Sequence, residues 1–462
     1  MSHRDICVRL NVVCMQQCLR WLFTGIDWSA VRFRKDCRWT PKSLVAAALL
    51  WAWSDEQTLG ERFRTVRKIA ICLAGEQQQL AKTYQAFTKI LRRWTDELVL
   101  LLSMALHERM QQTLPQHWQV AGFLVFGVDG SRIELARTRS HEQAYSSTRK
   151  KQRRGKRRRR KPLAAKDAQK ANSPQLWLTM MWHAGTGLPW EWRTGPADSS
   201  ERAHMRDMLK GLPAGALVAA DAGFVGYEGL AEILASGRDF LLRVGSNVRL
   251  LKKLGWVRES AGTVYLWPDQ AAHQGQPPLV LRLVVAHNGK HPVYLVTSVR
   301  SAARLSDAQV IQLYAKRWGI ELFYRHLKQT FRRRKLLSTS AENAHVEIEW
   351  SLVGLWAMAL YALVEASGHN IPPERLSFAK LLLAFRRTLR DYLHPTERGQ
   401  RLCQRLRQAI IDPYVRQNKT SRNYPRKKQE RVPGPPVILQ ATRTQIKRAK
   451  EIATTQQLRL TA

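Results

Sequence analysis

The stretch Tyr314-Ala-Lys-Arg317-Trp-Gly-Ile-Glu321-Leu-Phe-Tyr-Arg-His-Leu-Lys328 decides how this chain is read. It lies in a helix expected to open at Ser306-Asp-Ala-Gln309, a capping box, and to run past Lys328. At about 100° per residue, Tyr314, Arg317, Glu321 and Lys328 fall within a sector of roughly 60°. An acid flanked by two cations and a phenol makes a poor core surface. It makes a good surface for holding a metal ion against a phosphodiester.

Upstream, Phe123-Leu-Val-Phe-Gly-Val-Asp129 and Ala216-Leu-Val-Ala-Ala-Asp221 are short apolar runs, each read as a buried strand with an Asp at its C-terminal end. Between them come strand signals at Leu176–Trp182 and, after the Gly187-Leu-Pro189 turn, at Trp190–Trp192; Glu201 to Leu209 reads as helix. This order predicts a mixed α/β sheet. From Phe240 to Arg300, β signals separated by Gly, Pro and His-Asn-Gly turns predict a β-rich insertion.

Residues 1–118 read as helical, with Thr40-Pro41 as an N-cap and first-turn pair. Thr83 to Trp94 alternates apolar and cationic positions at helical spacing, as either a DNA-recognition helix or an amphipathic helix with a solvated basic face. Further helices are expected at about 344–366 and 376–410. The longest uncharged apolar run, Trp350–Val364, is shorter than the ~20 residues that span a bilayer and reads as a buried helix, with no membrane partner. The segment from Arg416 to Gly434 is basic, broken by prolines, and expected to be extended or disordered alone.

The 462 residues carry a net charge of +40, from 76 Lys+Arg against 36 Asp+Glu. A hydrophobic content of 44% excludes disorder throughout, so the charge sits on a folded body and a few tails. Such a body repels itself unless a polyanion neutralises it, which makes DNA or RNA the leading partner. An anionic membrane surface or a ribosome also satisfies charge alone. Arg9, Arg20, Arg32, Arg34 and Lys35 interrupt the first forty residues, against a secretory signal. The six cysteines, with Cys14 and Cys18 one helical turn apart, contain no C-x-x-C pair and point to reducing cytoplasm rather than a zinc or disulfide site. Arg149 to Lys161 is cationic except for Gln152 and Gly155, so a flexible loop between two strands is expected. Its arginines Arg157, Arg158, Arg159 and Arg160 are candidate DNA contacts, against the plainer reading of a solvated or localisation-like charge run.

Asp129, Asp221 and Glu321 are the candidate catalytic and metal-binding residues. Two-metal phosphoryl transfer needs carboxylates to hold two Mg²⁺ ions ~3.5–4 Å apart, and hard cations favour such oxygen ligands. Acids on neighbouring strands, with a third on a helix, supply that set from distant positions. Each Asp alone would be an ordinary turn residue. Among the 16 tryptophans most read as core, as does His183 at a strand end, while Trp256 and Trp267 are candidates to wedge beside a flipped base.

Tyr314 to Lys328 resembles the signature Y-x2-R-x3-E-x6-K of the DDE transposases of bacterial insertion sequences, the IS-four family, with every spacing kept. Val128-Asp-Gly-Ser-Arg132 looks like that family's first-Asp motif and Asp221-Ala-Gly-Phe224 like its second. The likeness covers about 120–365; the cationic loop is a departure that the motifs do not explain. It implies an α/β fold: an RNase H-like catalytic core with a β-rich insertion, flanked by helical N- and C-terminal regions. The expected division is 1–118 for a helical DNA-binding region, 119–340 for the core with its insertion at about 240–300, and 341–462 for a helical region with a basic tail.

The resemblance also implies metal-dependent DNA cleavage at element ends and strand transfer, with Tyr314, Arg317 and Lys328 on DNA beside the scissile phosphate. Mg²⁺ is the expected ion, with Mn²⁺ as a substitute. The expected partners are double-stranded DNA, both element ends and target, and a second copy forming a homodimer on DNA. The expected place is bacterial cytoplasm, at the nucleoid. Two rivals stay open: a domesticated, catalytically inactive DNA-binding protein, and a structure-selective RNase H-like nuclease.

Overall fold

A computed structural model describes residues 14–74, 80–147, 173–287, 291–393, 400–411 and 434–461. Its centre is a sheet of ten strands among the described residues. The core strands are β1 (Val125–Glu134), β2 (Gln175–His183), β3 (Leu188–Gly195), β4 (Leu217–Ala220) and β5 (Asp239–Val244). β1 pairs antiparallel with β2 and β2 with β3, whereas β4 lies parallel to both β1 and β5. This 3-2-1-4-5 arrangement is that of an RNase H-like core.

Strand β1 outlasts its parallel neighbour. β4 is four residues of Leu and Ala with Val, all buried, and it pairs β1 only from Val125 to Gly127. Beyond that point β1 stays paired to β2 as far as Glu134, while its other edge opens. Burial follows the pairing: Val125 to Val128 are buried, and exposure begins at Asp129. A crevice therefore opens at the carboxyl ends of the parallel strands, where open α/β sheets place their ligands.

The same sheet continues into the insertion through β9 (Pro292–Thr297), β8 (Leu279–His287), β7 (Thr263–Leu266) and β6 (Arg249–Lys252). The expected insertion at 240–300 thus starts too early. Phe240–Val244 belongs to β5, the fifth core strand, because its buried side chains pair in register with β4. The edge strand β10 (Val437–Gln440) comes from the C-terminal region and lies parallel to β6. The helix that follows it, Arg443–Thr461, sets Ala449 and Ile452 into a small separate core with Leu251, Leu254, Tyr265 and Trp267. Trp267 is buried there, donating from Nε1 to the Gln276 carbonyl at 2.8 Å, and Trp256 packs against the same cluster. Neither is placed as a free wedge.

Helices surround the core sheet. Pro41–Trp53 begins at Thr40 with a capping box to Ser43, as the Thr-Pro pair suggests. Thr83 to Trp94 opens the long helix Tyr84–Thr113, which buries Phe87 and Leu91 and leaves Arg92 to pair with Glu342 at 2.7 Å. Both pack on Ala341–Ser367, whose residues from Val346 to Leu360 are buried without a break. That helix runs well past the apolar stretch visible in sequence and is long and apolar enough to cross a membrane. Yet 94% of its apolar window lies inside the protein, so it is a core helix. Trp53 Nε1 donates to the Gly354 carbonyl at 2.7 Å, locking the N-terminal helices to it. One continuous apolar cluster consequently joins residues from Cys14 to Ala409.

The buried charge in this helix is satisfied from the chain that follows the signature stretch. Glu347 accepts the Leu337 and Ser338 amides at 3.0 and 2.9 Å and the Ser338 hydroxyl at 2.8 Å. A carboxylate with that many donors can stay buried. It fixes the exit of the signature segment against the central helix.

Candidate active site

The β1–β4 register couples Val125 with Leu217 and Gly127 with Ala219. Carried on at the same offset, it sets Asp129 level with Asp221 on the neighbouring strand. Asp221 ends β4 as expected and caps the turn Ala222–Phe224, its carboxylate accepting the Gly223 amide at 2.7 Å. Asp129 differs from expectation: it sits midway along β1, paired with Met180, rather than at a strand end. It is at the end of the shared pairing with β4, so the two aspartates still meet at the crevice. Asp129 Oδ1 accepts the Gly130 amide at 2.9 Å.

The signature segment is not one continuous helix. It consists of Asp307–Lys316, a break at Arg317 and Trp318, Gly319–Arg325, and a π turn at His326–Thr330. Ser306 and Gln309 form the capping box read from sequence. The break has a steric partner, because a Cβ on Gly319 would lie 2.1 Å from the Trp182 ring. Glycine lets the second piece rest directly on that indole and against β1. The π turn, which contains Lys328, widens the helix there, a feature often found at functional sites.

Despite the break, the stripe faces β1. Arg317 donates to Glu321 at 3.0 Å and lies 5.5 Å over the Tyr314 ring. Burial opposes the Arg317 charge, but Tyr314, Glu321 and Asp129 outweigh it and its pKa is raised. Lys328 Nζ donates to Ser131 Oγ at 2.7 Å, two residues beyond Asp129, rather than to Glu321. Burial lowers the Lys328 pKa. The four loop arginines Arg157, Arg158, Arg159 and Arg160 lie outside the described residues.

Three contributors were not singled out in the sequence. Tyr324, buried, donates its hydroxyl to the Asp129 carbonyl at 2.8 Å, with the Leu178 carbonyl at 3.3 Å. It clamps β1 and β2 where the first aspartate sits, and its only sequence signal is its position one turn after Glu321. Arg202 donates to the Gly223 carbonyl at 2.8 Å, bracing the Asp221 turn. Glu201 lies against Gly130, with no sequence signal beyond a helix start.

Electrostatically the centre is crowded with negative charge. Burial lifts the Asp129 carboxyl to about 6; Asp221 and Glu321 push the same way, against the Gly130 amide and Arg317. Burial lifts Glu201 to about 7, and Asp129 and Asp221 add to it. A set of carboxylate oxygens in mutual repulsion suits a hard divalent cation, so the donors fit in kind. Among the described residues, no three acid, His or Cys side chains converge on one ion position, and Glu321 is turned to Arg317. An apolar cavity of about 580 Å³, lined by Trp182, Trp318, Leu322 and Phe378, contains none of the three acids. An open crevice is the appropriate shape for a polymer backbone.

The family model for the transposase DDE domain matches residues 122–356, just over half of the 462 residues. The chain belongs to the DDE transposase family. Members of this family use divalent metal ions. A curated relative, the transposase InsG for insertion sequence element IS4 of Escherichia coli (strain K12), is 30% identical over 148 residues. That match covers 30% of this chain and 32% of the relative, so the chain matches about a third of that protein's length. Among solved structures the chain is similar to piggyBac transposase in a cryo-EM synaptic complex with hairpin DNA. There the identity is 12% and the TM-score 0.41, with 87% of this chain and 86% of that chain covered.

Proposed function

We propose that this DDE transposase family member cuts DNA at the ends of an insertion element and joins those ends to target DNA. What supports the reading is the β1–β4 register, which, carried two residues past the Gly127–Ala219 pair, levels Asp129 with Asp221, and the packing of the Glu321 segment on the same strand. Asp129, Asp221 and Glu321 would hold two Mg²⁺ ions, with Mn²⁺ as substitute. Bound there, the ions would activate the attacking water or 3′-hydroxyl and neutralise charge on the phosphate.

The chain's own groups do the rest. Tyr324 holds β1 at the Asp129 carbonyl and Lys328 holds it at Ser131. Arg317 offers a planar fork matched to phosphate, now occupied by Glu321, and Tyr314 backs it. A phosphate arriving at Arg317 would release Glu321 toward the aspartates. The loop arginines Arg157 to Arg160 would add contacts to the DNA backbone without reading sequence. Two element ends must be held together, which calls for a homodimer on DNA. The place of action is the cytoplasm, at the nucleoid.

Glu321→Gln tests the reading, since it preserves length and removes the charge. The variant should fold and bind element ends while strand cleavage in Mg²⁺ collapses. Products with cut but never joined strands would favour a structure-selective nuclease. Uncut ends with wild-type protein in both Mg²⁺ and Mn²⁺ would favour the inactive DNA-binding reading.

A further inference from the structure

The first turn of the Glu201–Met208 helix touches both aspartate motifs with consecutive residues. Arg202 braces the turn after Asp221 through the Gly223 carbonyl. Glu201 covers the residue after Asp129: a Cβ on Gly130 would lie 2.3 Å from Glu201 Oε1 and 2.6 Å from its Cδ. Only a glycine at 130 lets a carboxylate lie that close to the backbone of the first motif. The helix start is held by Ser200, whose side chain accepts the Ala203 amide. Glu201 is half-buried, and Arg132 and Arg202 act on it electrostatically without a hydrogen bond or ion pair to its carboxylate among the described residues.

We propose that Glu201 is a fourth carboxylate of this centre, facing the divalent ion that Asp129 and Asp221 would hold. The proposal rests on the assignment of those two aspartates. A competing explanation exists, because acids in the first turn of a helix are favoured by its dipole whatever lies nearby. The two explanations differ in sign. A dipole-stabilised Glu201 supports the metal-free fold and is indifferent to metal. A site carboxylate strains the metal-free fold and strengthens the ion's hold.

The test uses the full chain with Mn²⁺ alone as probe, its binding followed by electron paramagnetic resonance of the free ion and by calorimetry. Glu201→Gln should weaken Mn²⁺ binding by about 10–100-fold, the range for groups that support metal ligands. Its metal-free melting temperature should equal or exceed that of the parent. Glu201→Asp, which retains charge but retracts it, should fall between the two in affinity. Mn²⁺ affinity within twofold of the parent in Glu201→Gln, alongside a clear loss in Asp129→Asn, would overturn the role of Glu201 alone. Unchanged affinity in Asp129→Asn as well would overturn the aspartate assignment and this proposal with it. A lower metal-free melting temperature with unchanged Mn²⁺ affinity would return Glu201 to a helix-terminus role.

Discussion

Asp129→Asn should stabilise the metal-free protein at alkaline pH, an outcome opposite to that for a structural aspartate. Burial, then Asp221 and Glu321, raise this carboxyl from 3.8 to about 6, against the Gly130 amide and Arg317. An acid raised on folding binds more protons folded than unfolded between those values. Stability is therefore lost as pH climbs through that window and regained as pH falls to roughly 4. Two units at about 1.4 kcal/mol each give about 3 kcal/mol at pH 8. Partial exposure and solvent screening reduce that to on the order of 1–2 kcal/mol. Asparagine cannot ionise, keeps the volume, and its amide oxygen can still accept the Gly130 amide. In EDTA at pH 8 the variant should exceed the parent by that margin, read from urea unfolding followed by circular dichroism. At pH 4.5 the gap should shrink to a few tenths of a kcal/mol, and a saturating divalent ion at pH 8 should close it by stabilising the parent alone. A variant less stable than its parent at pH 8, or a gap independent of pH, would refute the reasoning.

Replacing Arg157, Arg158, Arg159 and Arg160 with Ser should weaken binding to all DNA alike and flatten the log–log salt slope by up to about 0.9 per lost phosphate contact. An unchanged slope would take the loop off DNA. Arg317→Ala and Lys328→Ala should impair cleavage of element ends more than binding to them, because each positions one phosphate among many; equal losses in gel-shift and cleavage assays would contradict that placement. Removing residues 434–462 should uncover Leu251, Tyr265 and Trp267, lower the melting temperature and raise binding of a hydrophobic dye. A truncated protein with parental melting behaviour would show that the insertion stands without its C-terminal strand and helix.

Much of this architecture was legible because its determinants are local. Buried β1 and β4 announce themselves as apolar runs, and Ser306 with Gln309 marks a helix start by capping chemistry alone. The aspartates were picked as acids closing apolar strands, Glu321 and the cations of the signature stripe from helical spacing, and the structure gathers Asp129, Asp221, Arg317 and Glu321 into one electrostatic neighbourhood. What failed to show was relational. Nothing in Phe240–Val244 distinguishes a core strand from an insertion strand, because the difference lies in which neighbour it pairs with. Val437–Gln440 has three apolar residues in a row, yet becomes a strand only because the edge of β6, nearly 190 residues earlier in the chain, is open to it. The break at Trp318 depends on an indole 136 positions upstream, and the Glu201 contact on the missing side chain of Gly130.

The charge distribution separates attraction from chemistry. A body of net charge +40 draws DNA from a distance, and that attraction needs no metal. At the crevice the sign reverses: burial raises the proton affinity of Asp129, with Asp221 and Glu321 adding to it, and burial raises that of Glu201, with Asp129 and Asp221 adding to it. A scissile phosphate brought there alone would add a further negative charge to a half-buried acid cluster. Arg317 relieves only part of this, and at present it spends that charge on Glu321. A divalent cation relieves the repulsion among the acids and between acids and phosphate together, so its binding and that of the phosphate should be mutually strengthening. On the proposed function, the protein would hold DNA across its basic surface without cutting it. On the proposed assignment, reaction would be reserved for the place where cation and phosphate arrive together and Glu321 is freed from Arg317.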